Sequence, residues 1–317
     1  MKPSFPVSSF YLRRPDGHRL HVSLAGPVEG EPWVVVHGGP GGRCYPAMTA
    51  WFDLARHRVV MPDQRGAGLS KPAGSLRRNS VTSLIADLEA LRAHLGIARW
   101  GVVGGSWGAA LALAYAARHP ASVTRIVLRG SFLSGWDDML RLFSPRQRGL
   151  PMLHGVPALG VRLPTAEGAF DAVVNRMLHG APSVQHRVAE GYERIERSAL
   201  RLPALRKVRG KLAVAAVAGR REARRKRYRI QAHYLRHRAW LGKPVVLRAA
   251  REVGLQGIPV TILHGRRDRV CDPRNARRLQ AVLPAATLRW IAAGHLPVGK
   301  MAAALKTAIG EGPGGAG

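Results

Sequence analysis

Short apolar runs and longer amphipathic stretches follow one another along this chain, and their order predicts its elements. Residues 10–25, FYLRRPDGHRLHVSLA, read as two strands joined by a Pro-Asp-Gly turn, where glycine supplies the positive φ. WVVVHGG at 33–39 is a β-branched run ending in glycines, as expected of a strand buried on both faces and followed by a loop. RHRVVMPDQRGAG repeats that strand-then-loop pattern. In VTSLIADLEALRAHLG the apolar residues Val81, Leu84, Ile85, Leu88, Leu91 and Leu95 recur at helical spacing, and Gly96 closes the helix. RWGVVGGSWGAALALAYAARHP then predicts strand, tight turn and helix, and RIVLRGSFL a further strand.

From 135 to 245 the pattern changes to arginine- and alanine-rich helical segments with no convincing strand, after which IPVTILHG at 258–265 resumes the sheet. TLRWIAAGH and a short helix from Val298 to Ile309 complete the core, and EGPGGAG is expected to be a disordered tail. Alternating strands and helices imply an α/β class with a mostly parallel central sheet and flanking helices. The expected organisation is a first core segment over 1–134, an inserted helical cap over 135–245 and a second core segment over 246–317. No internal repeat is present.

Composition changes this picture little. Of the 317 residues 46% are hydrophobic, enough for one large core with a smaller inserted unit. The first residues, MKPSFPVSSFYLRRPDG, lack a signal-peptide core, and no run of about eighteen apolar residues occurs, so a cytoplasmic location off the membrane is expected. The two cysteines, Cys44 and Cys271, lie far apart without metal-ligand spacing, which predicts free thiols and neither a zinc site nor a disulfide framework. The formal charge of +31 would attract polyanions, yet arginine dominates lysine along the whole chain, a pattern that genome composition produces without selection for binding. The densest cluster, RREARRKRYR at 220–229, has a single aromatic and no stacking platform, so it reads as a solvated helix face; no specific nucleic-acid partner is expected, and the oligomeric state is left open.

The chemistry is concentrated in a few residues. Gly104-Gly105-Ser106-Trp107-Gly108 fits a G-x-S-x-G nucleophile elbow, with the required strand before it and helix after it. The elbow places the sequence in the α/β-hydrolase fold, where nucleophile, acid and histidine follow in that order. A serine hydroxyl needs a base within reach, and the base needs an acceptor that fixes its tautomer. Asp268, just after the strand PVTILHG, and His295, in AAGH after the last strand, fit order and loop placement. Their rivals are Asp272, one turn further from the strand, His264 inside a strand end, and His119 in a helix-terminating His-Pro. Two backbone donors should face the oxyanion: the amide of Trp107, and one from the loop His37-Gly38-Gly39-Pro40-Gly41-Gly42, for which Gly39 is chosen. His37 itself reads as a buried strand-end histidine.

HGGPGG at 37–42, DQRGAGLS at 63–70, GGSWGAALALAYAARHP at 104–120 with VLRG at 127–130, and HGRRDRVCDP at 264–273 with AGH at 293–295 together resemble the proline iminopeptidases (prolyl aminopeptidases), in that family's order and spacing. The resemblance covers about two-thirds of the chain. It implies release of an N-terminal residue, preferably proline, from a peptide or small-molecule substrate, with no metal and no cofactor. It also implies that the cap recognises the substrate's amino terminus. In the family a tryptophan-rich stretch ends in Trp-Glu; here it reads Tyr192-Glu193-Arg194-Ile195-Glu196, so Glu196 persists while the aromatics become Tyr192 and Ile195. A second amine-binding glutamate precedes a His-Tyr pair in the family, and this chain has Gln231 there, before His233 and Tyr234. The alternative reading is an esterase or amidase that uses the same machinery with an altered cap. A basic scaffold with a vestigial hydrolase fold is the reading from a different class, and loss of a triad residue would mark it; none is lost.

Overall fold

A computed structural model describes residues 8–141, 165–203 and 213–311; of the tail expected to be disordered, EGPGGAG, Glu311 is described and pairs with Arg289 at 2.7 Å, and the rest, from 312 onward, lies outside these. Strands β1 (Ser8–Arg13) and β2 (Arg19–Ala25) pair antiparallel across a turn that holds Gly17 at φ +88. β3 (Glu31–Val36) and β4 (His57–Pro62) follow, then α1 (Val81–His94), β5 (Trp100–Gly105), α2 (Trp107–Arg118) and β6 (Val123–Arg129). α3 (Trp136–Leu140), α4 (Ala166–His179), α5 (Pro182–Ala199) and α6 (Ala213–Arg236) come next, with no strand among the described residues between β6 and the following β7. The chain closes with α7 (Gly242–Leu255), β7 (Val260–Gly265), α8 (Arg274–Val282), β8 (Thr287–Ile291) and α9 (Lys300–Gly310).

The eight strands form one sheet in the order β1-β2-β4-β3-β5-β6-β7-β8. β2 meets β4 antiparallel, and every pairing from β4 to β8 is parallel. The mostly parallel sheet with flanking helices is thus observed. Side chains of the central strands alternate between two apolar layers, as a period of two requires. Val34, Val36, Val102, Ile126, Leu128 and Ile262 face one layer, shared with α1, α2 and α7. Trp33, Val35, Val103, Val127 and Leu263 face the other, shared with α9. Each such side chain, fully buried, contributes about 1.5–3 kcal/mol, which is why these runs carry almost no polar residue.

α1 forms where its spacing predicts: Val81, Leu84, Leu88 and Leu91 are buried, the Ser80 side chain caps the start, and Gly96 takes φ +64 at the end. Helices α7 and α8 go beyond the elements that the sequence pattern predicts. α7 buries Val246, Ala249, Ala250 and Val253 at helical spacing against the main core, where alanine lets it approach α2. α4, α5 and α6 share an apolar cluster of their own, built on Phe170, Val188, Tyr192, Tyr228 and Leu235. A second face of α6 sends Ile230 and Tyr234 into the main core, so α6 joins the two.

Candidate active site

β5 runs straight into α2, and the junction residue is Ser106 at φ 57 and ψ −123. A non-glycine residue held there stores about 1–3 kcal/mol of strain, which neighbouring contacts must offset. The turn closes only because glycines flank it. A Cβ on Gly104 would lie 2.4 Å from the Gly108 carbonyl oxygen, and one on Gly108 would lie 2.0 Å from that of Val36. The Ser106 amide donates to the Arg129 carbonyl at 2.9 Å, fixing the elbow to the end of β6.

Asp268 and His295 meet beside this elbow. His295 Nδ1 donates to Asp268 Oδ2 at 2.8 Å, while the amides of Val270 and Cys271 donate to Asp268 Oδ1 at 2.8 and 2.9 Å. Burial alone would raise the Asp268 pKa; His295, its hydrogen bond, His264 and the Cys271 amide together outweigh burial and hold it at about 2. The acid is therefore a carboxylate across the working pH range. Both partners sit at Gly130, just past β6, where a Cβ would stand 3.1 Å from Asp268 Oδ2 and 3.1 Å from His295 Nδ1. The buried Arg129 guanidinium donates to the His295 carbonyl, so one residue anchors the serine through its backbone and the histidine loop through its side chain. Ser106 Oγ rests 3.7 Å from Cys271 Sγ, and among the described residues no hydrogen bond joins it to His295. Burial pushes the Cys271 thiol well above its ordinary pKa, so it stays neutral beside the hydroxyl.

The rivals have other roles, and of them only His264 lies against the pair. Asp272 pairs with Arg274 at 2.7 Å and Arg141 at 3.1 Å. His264 is fully buried at the end of β7, 3.7 Å from Asp268 Oδ2, and burial lowers its pKa. His119 ends α2.

The glycine loop lies against the elbow: a Cβ on Gly38 would stand 3.2 Å from Ser106 Cβ, and Gly39 turns the chain at φ +126. Among the described residues the amides of Trp107, Gly38 and Gly39 donate to no other backbone group. His37 is structural, as its strand-end position suggests. The Gln64 amide donates to His37 Nε2 at 2.9 Å, so the ring proton lies on Nδ1 and goes to the Gly38 carbonyl at 2.9 Å. Burial lowers the pKa of the ring and keeps it neutral.

Gln64 itself is a site residue that sequence reasoning missed. Its side-chain amide donates to the His37 carbonyl at 2.8 Å, and its carbonyl accepts the Trp107 indole N–H at 3.2 Å. It thereby ties the glycine loop to the residue after the nucleophile. The DQRGAG segment that carries it is braced in turn. Asp63 accepts the amides of Cys44 and Leu69, both at 2.8 Å, and Arg65 forms a two-pronged pair with Asp87 of α1 at 2.5 and 2.8 Å. The motif had signalled only resemblance.

The three residues assigned to the cap site do come together. Glu196 of α5 accepts from Tyr228 at 2.7 Å and from Gln231 Nε2 at 3.0 Å, and Gln231 Nε2 also donates to Tyr192 at 3.2 Å. Besides Tyr228, a charged group joins them: Arg227 of α6 pairs with Glu196 at 2.8 Å. The α6 backbone at Arg227 rides on the glycine loop, where a Cβ on Gly41 would lie 2.5 Å from the Arg227 carbonyl oxygen. Nearby positives of the same arginine-rich run are paired as well, Arg224 with Glu193 at 2.6 Å and Arg225 with Glu222 at 2.5 Å, whereas Arg220 and Arg221 face solvent. No helix among the described residues is long and apolar enough to cross a membrane.

Residues 32–299 match the family model for the alpha/beta hydrolase fold. A proline iminopeptidase of Xylella fastidiosa strain 9a5c is 36% identical over 305 residues, covering 88% of each chain. Another, from the Temecula1 strain, is 50% identical over 123 residues, 38% of this chain and 39% of that one. Among solved structures, a proline iminopeptidase-related protein of Thermus thermophilus superposes with a TM-score of 0.54 at 24% identity, covering 90% of this chain and 89% of that one, a likeness of fold.

Proposed function

The chain belongs to the α/β-hydrolase fold family and, within it, to the proline iminopeptidases, and on that premise we propose that it releases an N-terminal residue, preferably proline, through an acyl-enzyme formed on Ser106. It is a hydrolase of the aminopeptidase type. The observation that carries the mechanism is the strained Ser106 at φ 57 standing beside the 2.8 Å His295–Asp268 pair. Ser106 Oγ attacks the acyl carbonyl and gives its proton to His295 Nε2. Asp268 holds the imidazole in that tautomer and balances the imidazolium. The oxyanion is met by the amides of Trp107 and Gly39, both without another backbone acceptor among the described residues. His295 then protonates the leaving amine, water enters, and the same base activates it to free the acyl group. Helices α3–α6 act as the cap that sorts substrates above this machinery.

Ser106→Ala should keep the fold and lower turnover on prolyl-naphthylamide by about a thousandfold or more. Retained activity in the purified variant would reject the nucleophile. A panel of prolyl- and alanyl-naphthylamide with a short acyl ester tests the substrate class. The esterase alternative is kept because Arg227 already pairs with the Glu196 carboxylate expected to meet an ammonium. Faster hydrolysis of the ester alone would transfer the assignment to it.

A further inference from the structure

Glu196 is the carboxylate around which the cap site is built, with its side chain 13% exposed and that of Arg227 39% exposed. A carboxylate offers about four acceptor positions. Arg227, Tyr228 and Gln231 each take one, and the first of these donors is a full positive charge. The cluster of Glu196, Arg227, Gln231 and the two tyrosines is therefore neutral overall. Arg227 is one helical turn before Gln231, so both side chains leave the same face of α6. Its backbone rests on the glycine loop, and its charge helps to lower the His37 pKa, though burial does most of that. Two polar atoms in the cluster are left over, buried and without a hydrogen-bond partner among the described residues: the donor Arg227 Nε and the acceptor Gln231 Oε1.

We propose that Arg227 is a specificity-determining residue: an internal guanidinium that occupies the countercharge of Glu196, so that the site accepts a neutral N–H donor at Gln231 Oε1 as readily as a free ammonium. The inference rests on the reading of α3–α6 as the substrate-sorting cap. It differs from an ordinary structural ion pair in what it does to charge selectivity. An incoming ammonium must share Glu196 with a cation that is already bound, whereas an uncharged amide N–H meets no such competitor. Removing Arg227 while keeping the apolar stem exposes an unpaired carboxylate in a half-buried site. A charge-assisted hydrogen bond to a ligand cation there is expected to tighten binding about ten- to a hundredfold.

The test reads inhibition of acyl-ester hydrolysis by the full chain, using L-alaninamide as the charged ligand and N-acetyl-L-alaninamide, whose acetylated nitrogen keeps one N–H, as the neutral one. Ester turnover is the reporter, so the result does not depend on whether prolyl amides are substrates. Wild type should bind the two within about threefold of each other. Arg227→Met should tighten alaninamide at least about tenfold relative to the acetylated ligand, and adding Glu196→Gln should abolish that gain. A wild type that already prefers the cation tenfold overturns the proposal, and this measurement holds even if Arg227→Met fails to fold. An Arg227→Met protein with an unchanged ratio overturns it as well. A wild type that hydrolyses the ester but no aminoacyl amide rejects the aminopeptidase reading, while the ratio of the two ligands still decides the role of Arg227.

Discussion

Gln64 lies between the two stretches proposed to face the oxyanion, and among the described residues it makes no hydrogen bond to Ser106 or His295. Its side chain spans from the His37 carbonyl to the Trp107 indole, so the spacing between the glycine loop and the residue after the nucleophile is set by one amide. Gln64→Leu keeps the volume and leaves both partners unsatisfied, each costing about 1–3 kcal/mol when buried. We expect kcat to fall about ten- to a hundredfold on amide and ester substrates alike, with KM within about twofold, because a mis-spaced oxyanion site weakens only the transition state. Steady-state kinetics on both substrate classes checks this; a raised KM with an intact kcat would mean that Gln64 contacts substrate instead. The same residue shows a limit of sequence reading. DQRG was visible as a block, but nothing in one dimension says that position 64 reaches both 37 and 107. Glu196 and Arg227 pose the same problem, since a pairing across 31 positions and two helices leaves no local pattern.

At the scale of elements, the turn from β5 into α2 depends on close backbone approach. The Gly108 α-carbon packs so tightly on β3 that Gly108→Ala brings its methyl group within 2.0 Å of the Val36 carbonyl oxygen, and neither backbone has room to retreat. The expected loss of stability is about 3 kcal/mol or more, read as a large fall in Tm or as insoluble protein. Gly96→Ala, with no atom within 4 Å but φ +64, should cost only about 1 kcal/mol, so the comparison separates crowding from backbone strain. An equal fall in both would show that crowding at the elbow has been overstated. These elements were legible because their signals are local: β-branched runs for β3, β5 and β6, glycine punctuation at the elbow, leucine spacing in α1. α7 and α8 were not, because α7 meets the core through alanines and valines and α8 is rich in arginine, so neither shows the leucine stripe that marked α1. Strand order was not legible either, since the placing of β3 between β4 and β5 is decided by packing across the whole sheet.

For the whole molecule, 50 basic residues against 19 acidic ones leave a field that no set of pairs cancels. The 220–229 run, however, spends several of its charges on acidic neighbours within α5 and α6. We therefore expect RNA and DNA to bind weakly and without sequence preference, with an affinity that falls steeply as salt rises and is lost by physiological ionic strength. Fluorescence anisotropy across a salt series checks this, and sub-micromolar, sequence-selective binding at about 0.15 M salt would contradict it. The pairing of β6 with β7, Ile126 opposite Val260, carries a different consequence. Ser106, the proposed nucleophile, leaves the ribosome with the first half of the chain, but the pocket that receives Asp268 and His295 is closed only when β7 and β8 dock on β6. At translation rates of about 5–20 residues per second, the interval between the synthesis of Ser106 and that of His295 is roughly ten to forty seconds. On the mechanism proposed above, the nascent chain carries Ser106 without its base throughout that time, so it would not attack neighbouring peptides before its own synthesis is nearly finished.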